Sequence, residues 1–312
     1  MLQGSTSELR SARASLLMRA VVWLMKRRKP VFPHSPEGFR EKLAGREPPR
    51  DAPMPAKFEK RFTVERRTVE GQEVVTLHPK SGPAAWHMLY FHGGGFILPM
   101  FEVHWPLAAK LVETCGLSIT LPLYPVVPES TASEQDALAD ACFAELAMTH
   151  APERIALGGD SAGGHMALTL ALRLARAGGA QPGRLALFAP WLDLTMRDEA
   201  MRAVEPHDAM LKIGTLRAAG EIYARERDPA SPECSPLYTP TEQLAALPPT
   251  RIWTGRHDLF IVDSRTFAGK LRDAGVDATL YEYEAAPHVF MAITPTREAK
   301  DVFALMRAFL RD

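Results

Sequence analysis

Ser161 stands between two glycines in Gly159-Asp160-Ser161-Ala162-Gly163. The apolar run Ile155-Ala156-Leu157 leads into this stretch, and a helix-periodic run from Met166 to Arg176 leads out. That is strand, tight turn and helix, with a hydroxyl at the apex. A serine hydroxyl becomes a useful nucleophile when a base takes its proton and donors hold the oxyanion it generates. Gly159 and Gly163 put no Cβ in the way of the turn, so the hydroxyl can stand clear of the backbone. The amide of Ala162 faces the same space at a helix N-terminus, where developing negative charge is favoured. A second constellation lies upstream. His92-Gly93-Gly94-Gly95 follows the apolar run Trp86 to Phe91. Consecutive glycines let backbone N–H groups converge, so Gly94, Gly95 and Ala162 can form a three-donor oxyanion hole. His92 precedes the nucleophile and reads as a hydrogen bonder that orients the loop at Gly93, not as the base.

The chain order that goes with this elbow is serine, acid, histidine. His165, His207, His257 and His288 all lie past Ser161. His165 falls one helical turn beyond the serine and reads as structural. His288 follows the last strand pattern, in the loop Ala285 to Phe290, where such a fold presents its base. For the acid, Asp258 follows the strand pattern Arg251 to Gly255, whereas Asp263 falls on the next helix and reads as a surface or supporting carboxylate. The expected triad is therefore Ser161, His288 and Asp258, the acid orienting the imidazole and stabilising its cation. A phosphate-binding loop fits poorly, because Gly164-His165 stands where Lys-Ser or Lys-Thr is required.

The elements that must hold these groups alternate. Strand patterns at 86–91, 117–121, 154–158, 185–188, 251–255 and 279–283 are mostly unbroken apolar runs. Helical patterns separate most of them. This predicts an α/β fold with a mainly parallel sheet covered on both faces. Residues 1–50 read as helical and Pro-rich, an appendage to a core over 51–193 and 236–312. From 194 to 235 the pattern turns polar, Met-rich and helical, which predicts an insertion.

Composition narrows the partners. Hydrophobic residues make up 46% of the 312, enough for a large core. Lys and Arg number 37, as do Asp and Glu, so the net charge is zero and nothing predicts nucleic-acid binding. Cys115, Cys142 and Cys234 are few and scattered, which predicts reduced thiols in a cytoplasm and neither a disulfide framework nor a metal site. The apolar stretch Ser15 to Met25 is broken by Arg19 and followed by Lys26-Arg27-Arg28. It is too short for stable membrane insertion, and its charge lies on the wrong side for a secretory leader. An amphipathic helix is expected, packed on its own protein or lying on a membrane surface.

Taken together, His92-Gly93-Gly94-Gly95-Phe96, Gly159 to Gly164, Pro190-Trp191-Leu192-Asp193, Ser235-Pro236-Leu237, Asp258 and His288-Val289-Phe290 resemble the hormone-sensitive-lipase-like esterases of the α/β-hydrolase fold. The resemblance covers most of the chain from Trp86 onward. It implies a serine carboxylesterase with no metal or organic cofactor and a helical cap built from residues 1–50 and 194–235. Its substrate would be a small, uncharged ester of short to medium chain, cleaved through an acyl-enzyme on Ser161. A lactone hydrolase would use the same residues. A receptor that kept the fold and lost the chemistry would be expected to lack a triad member. Homodimers are frequent in the family. Two departures stand out. Tyr124-Pro125-Val126-Val127-Pro128-Glu129 lacks the arginine that usually precedes the glutamate and could pair with it, and Asp258-Leu259-Phe260 replaces the usual Asp-Pro-Leu.

Overall fold

The computed structural model describes residues 6–11, 13–225 and 227–311. Nine strands form one sheet: β1 (Thr6–Ser11), β2 (Phe62–Val69), β3 (Gln72–Pro79), β4 (His87–Phe91), β5 (Ser118–Pro122), β6 (Ile155–Asp160), β7 (Arg184–Phe188), β8 (Thr250–Gly255) and β9 (Ala278–Tyr283). Their spatial order is β1-β9-β8-β7-β6-β4-β5-β3-β2. All neighbours pair in parallel except β2 with β3 and β3 with β5. β4, β5 and β6 are buried at every residue, as strands covered on both faces must be. β2 and β3 turn at Glu70-Gly71, both with positive φ, the conformation a two-residue hairpin needs.

The helices are α1 (Leu16–Met25), α2 (Pro36–Ala44), α3 (Lys57–Arg61), α4 (His104–Cys115), α5 (Ala132–Thr149), α6 (Ala162–Arg176), α7 (Met201–Val204), α8 (Ile213–Ala224), α9 (Thr241–Leu244), α10 (Ile261–Asp273) and α11 (Arg297–Phe309). Alternate side chains of each strand feed two cores. Leu89, Phe91 and Leu157 pack with α5, α6 and α10 on one face. Met88, Tyr90 and Ala156 pack with α4 and α11 on the other.

The N-terminal segment departs from the helical and Pro-rich expectation by starting with a strand. Residues 6–11 add a parallel edge strand to β9, with Ser7 donating to Glu282 at 3.1 Å and Arg10 paired with Asp301. The polar sequence of β1 has little strand signal of its own. It is held by the open backbone edge of β9, which a neighbouring chain segment satisfies. Residues 1–5 and 12, also in the expected appendage, lie outside the described residues. The insertion between β7 and β8 carries α7 and α8, and α8 packs on α2. Its ends meet: the Leu194 amide donates to Ser235 Oγ at 2.8 Å, and the Leu237 amide to Leu192 O at 3.1 Å.

Candidate active site

Ser161 follows β6 and precedes α6, with φ 55° and ψ −119°. L-residues seldom adopt that conformation, and it persists only where the surroundings hold it. Here the Ser161 amide donates to Phe188 O, and its carbonyl accepts from His165 and Trp191. The turn also brings α6 against β4, so a Cβ at Gly163 would collide with the Phe91 carbonyl.

Beside the elbow, Gly94 and Gly95 have φ of 133° and 62°. Among the described residues their amides donate to no other group. The loop is braced from beneath. His92 Nδ1 donates to Gly93 O at 2.7 Å, its ring stacks 4.1 Å from Tyr124, and the Tyr124 hydroxyl donates to His92 O at 2.7 Å. Burial, with His104 nearby, pulls the His92 imidazole down to about 3, so it is a neutral bracing group. Asp160 is buried under the same loop, accepting from the Tyr90 hydroxyl at 2.6 Å with His104 Nε2 at 3.5 Å. Burial by itself would raise the Asp160 carboxyl. His104 and Tyr90 outweigh it and hold the group below its usual range.

His288 Nδ1 lies 2.9 Å from Asp258 Oδ2, and both residues are buried. The Phe260 amide donates to the other Asp258 oxygen at 2.9 Å. With Nδ1–H committed to the carboxylate, the Nε2 lone pair is the basic face. Burial would depress this imidazole, but the Asp258 charge and hydrogen bond, then Asp208, raise it above its ordinary value. Ser161, Asp258 and His288 follow β6, β8 and β9, at one end of the sheet. A line of rings joins them: His288 to Phe260 at 5.1 Å and Phe260 to Trp191 at 5.9 Å, with the Trp191 amide on Ser161 O. No hydrogen bond joins the Ser161 hydroxyl to His288 among the described residues.

The family model described as alpha/beta hydrolase fold matches residues 88–292. The chain belongs to the α/β-hydrolase fold family. It is 33% identical over 211 residues to an esterase of Acinetobacter venetianus, 67% of either chain. It is 30% identical over 227 residues to an acetyl-hydrolase of Streptomyces hygroscopicus, 72% of this chain and 75% of that one. An esterase from the bacterial hormone-sensitive lipase family superposes with TM-score 0.81 at 24% identity, covering 96% and 98% of the two chains. At that identity the likeness carries the fold, and it is the branch that the sequence motifs resemble.

Three groups in this hydrolase fold escaped the sequence reading. Asp208, from the insertion, accepts from the Met210 and Leu211 amides at 2.8 Å each and from Leu259 at 2.9 Å. Its burial beside Asp258 pushes its carboxyl up to about 6. Next to it His207 stacks on His257, 5.2 Å between rings. Arg46, from the N-terminal segment, supplies the cation that the Tyr124–Glu129 loop lacks. It pairs with Glu129 at 2.7 Å, donates to Val127 O at 3.0 Å and also reaches Ile97 O. The third is His104, on Asp160. No sequence spacing points to these partners, since each comes from a distant element.

Asp263 differs from its expectation. It is neither at the surface nor a supporting ion pair but fully buried, with both carboxyl oxygens unpartnered among the described residues. Burial raises its carboxyl well above the usual range. His165 is buried and bonded to Trp191 O at 3.2 Å, as a structural histidine.

Proposed function

We propose that this protein is a serine carboxylester hydrolase acting on small, uncharged esters of short to medium chain. The observation that carries the reading is the 2.9 Å Asp258–His288 pair, at the end of the sheet that carries the strained Ser161 and the open Gly94 and Gly95 amides. The naming of relatives as esterase and acetyl-hydrolase supports it. Ser161 Oγ attacks the ester carbonyl carbon as its proton passes to His288 Nε2. The carbonyl π pair moves to oxygen, and the amides of Gly94, Gly95 and Ala162 hold the resulting oxyanion. Collapse breaks the bond to the alcohol oxygen, which leaves with the proton from His288. Water then attacks the acyl-enzyme, giving its proton to His288, and Ser161 is regenerated with release of the acid. Asp258 fixes the imidazole tautomer and stabilises the imidazolium without taking its proton. In this reading α2 of the N-terminal segment, with α7 and α8 of the insertion, caps the site. The three free thiols, two of them pushed up to about 12 by burial, suit a reducing cytoplasm.

The test is hydrolysis of p-nitrophenyl esters from acetate to dodecanoate, with lactones alongside, by the wild type and Ser161→Ala. Turnover that peaks at short acyl chains and vanishes in the variant is expected. Turnover retained in Ser161→Ala removes the acyl-enzyme, and a clear preference for lactones moves the substrate class.

A further inference from the structure

α1 is apolar except at Arg19, and only one side of it is packed. Met18 is buried and Val22 packs against the same core as α4 and α11. The opposite face carries Leu16, 80% exposed, with Leu17, Trp23 and Leu24 each about half exposed. At 100° per residue these four side chains fall on one contiguous arc of the helix. An apolar arc of that width on a helix is normally covered. The exposed face is also held rigidly. Ser15 caps α1, accepting from the Met18 amide, while its own amide and hydroxyl donate to Glu298 at the start of α11 at 2.5 and 2.7 Å.

The charge carried by this segment of the chain has one sign. No Asp or Glu lies between Glu8 and Glu37, whereas seven Lys and Arg do, in a chain whose net charge is zero. Arg19, Lys26, Arg27, Arg28 and Lys29 are all exposed, and none has an ion-pair partner among the described residues. Arg27 lies over the Trp23 ring at 3.5 Å, the pairing of cation and indole suited to a headgroup boundary.

We propose that this face docks on the surface of an anionic lipid bilayer. Leu16, Leu17, Trp23 and Leu24 enter the headgroup boundary and the five cations meet lipid phosphates. Among the described residues no helix is long and apolar enough to cross a membrane, so the contact is peripheral.

The proposal goes beyond the hydrolytic reading, and its test does not use turnover. The full chain is sedimented with sucrose-loaded vesicles of phosphatidylcholine, with and without phosphatidylglycerol. Binding to the mixed vesicles alone, weakened by salt, is expected. Leu24→Ser with Trp23→Ser, and separately Arg27→Glu with Arg28→Glu, should each bind at least about tenfold more weakly at unchanged melting temperature. Wild-type protein left in the supernatant, or variants that bind as well as it does, would overturn the proposal. So would a wild-type dimer in sedimentation velocity that Leu24→Ser makes monomeric, since that face would then belong to a second copy.

Discussion

The Asp208 carboxylate accepts a 2.9 Å hydrogen bond from the Leu259 amide, one residue beyond Asp258. The next amide, Phe260, donates to Asp258 itself at 2.9 Å. Two successive amides are thus shared between a carboxylate of the insertion and the expected triad acid. Asp208→Ala leaves the Leu259 amide without its acceptor, a cost of about 1–3 kcal/mol. It also frees the loop that sets the Asp258 position. We expect kcat to fall about ten- to a hundredfold, with KM changing much less. Loss in KM alone would make Asp208 a residue of the substrate pocket and not of the acid loop.

The sign of the pH dependence follows from His288. Its protonated form cannot take the Ser161 proton, so kcat/KM should rise with pH as the imidazole deprotonates. Because Asp258 and Asp208 raise it, the acid limb should lie above the ordinary imidazole value of about 6.5. Asp258→Asn removes the charge, so its acid limb should move to lower pH while kcat drops by about 10⁴. An unshifted limb in that variant would show that His288 is not the titrating group.

Arg46 binds three acceptors at once: Ile97 O, Val127 O and Glu129. The first lies just past the glycine run, so Arg46 ties the Gly94-Gly95 loop to the Pro128 turn. Arg46→Met should lower the melting temperature by a few degrees and kcat by about tenfold. Arg46→Lys should rescue little, because a single ammonium cannot span the fork of contacts. Full rescue by lysine would reduce the role to charge alone.

Asp263 predicts a stability effect away from the chemistry. Its folded-state pKa is raised far above that of the unfolded chain by burial, so folding takes up a proton. Its contribution to stability is present below the unfolded pKa and is lost as pH rises toward the folded one. Asp263→Asn removes that dependence. The melting temperature of the variant should gain on the wild type as pH rises above the ordinary carboxylate range of about 4. A constant difference as pH rises would mean that Asp263 is not the proton acceptor.

Much of the architecture is legible in short stretches because its causes are local. Buried parallel strands need continuous apolar runs, so β4 to β9 stand out in sequence. The elbow and the glycine loop need residues without a Cβ at fixed spacing, so Ser161, Gly94, Gly95 and Ala162 can be named before any coordinates are seen. Chain order then selects Asp258 and His288 for pairing, and they are found 2.9 Å apart. Other features have no local cause. β1 is polar and becomes a strand because β9 offers an open edge. Asp208, Arg46 and His104 reach the site from an insertion, a terminal segment and a neighbouring helix, through partners remote in sequence. Asp263 looks like a surface carboxylate on a helix until the packing around it excludes water. Tertiary structure decides these points because burial and long-range hydrogen bonding depend on which elements fold against each other, and residue type alone does not encode that.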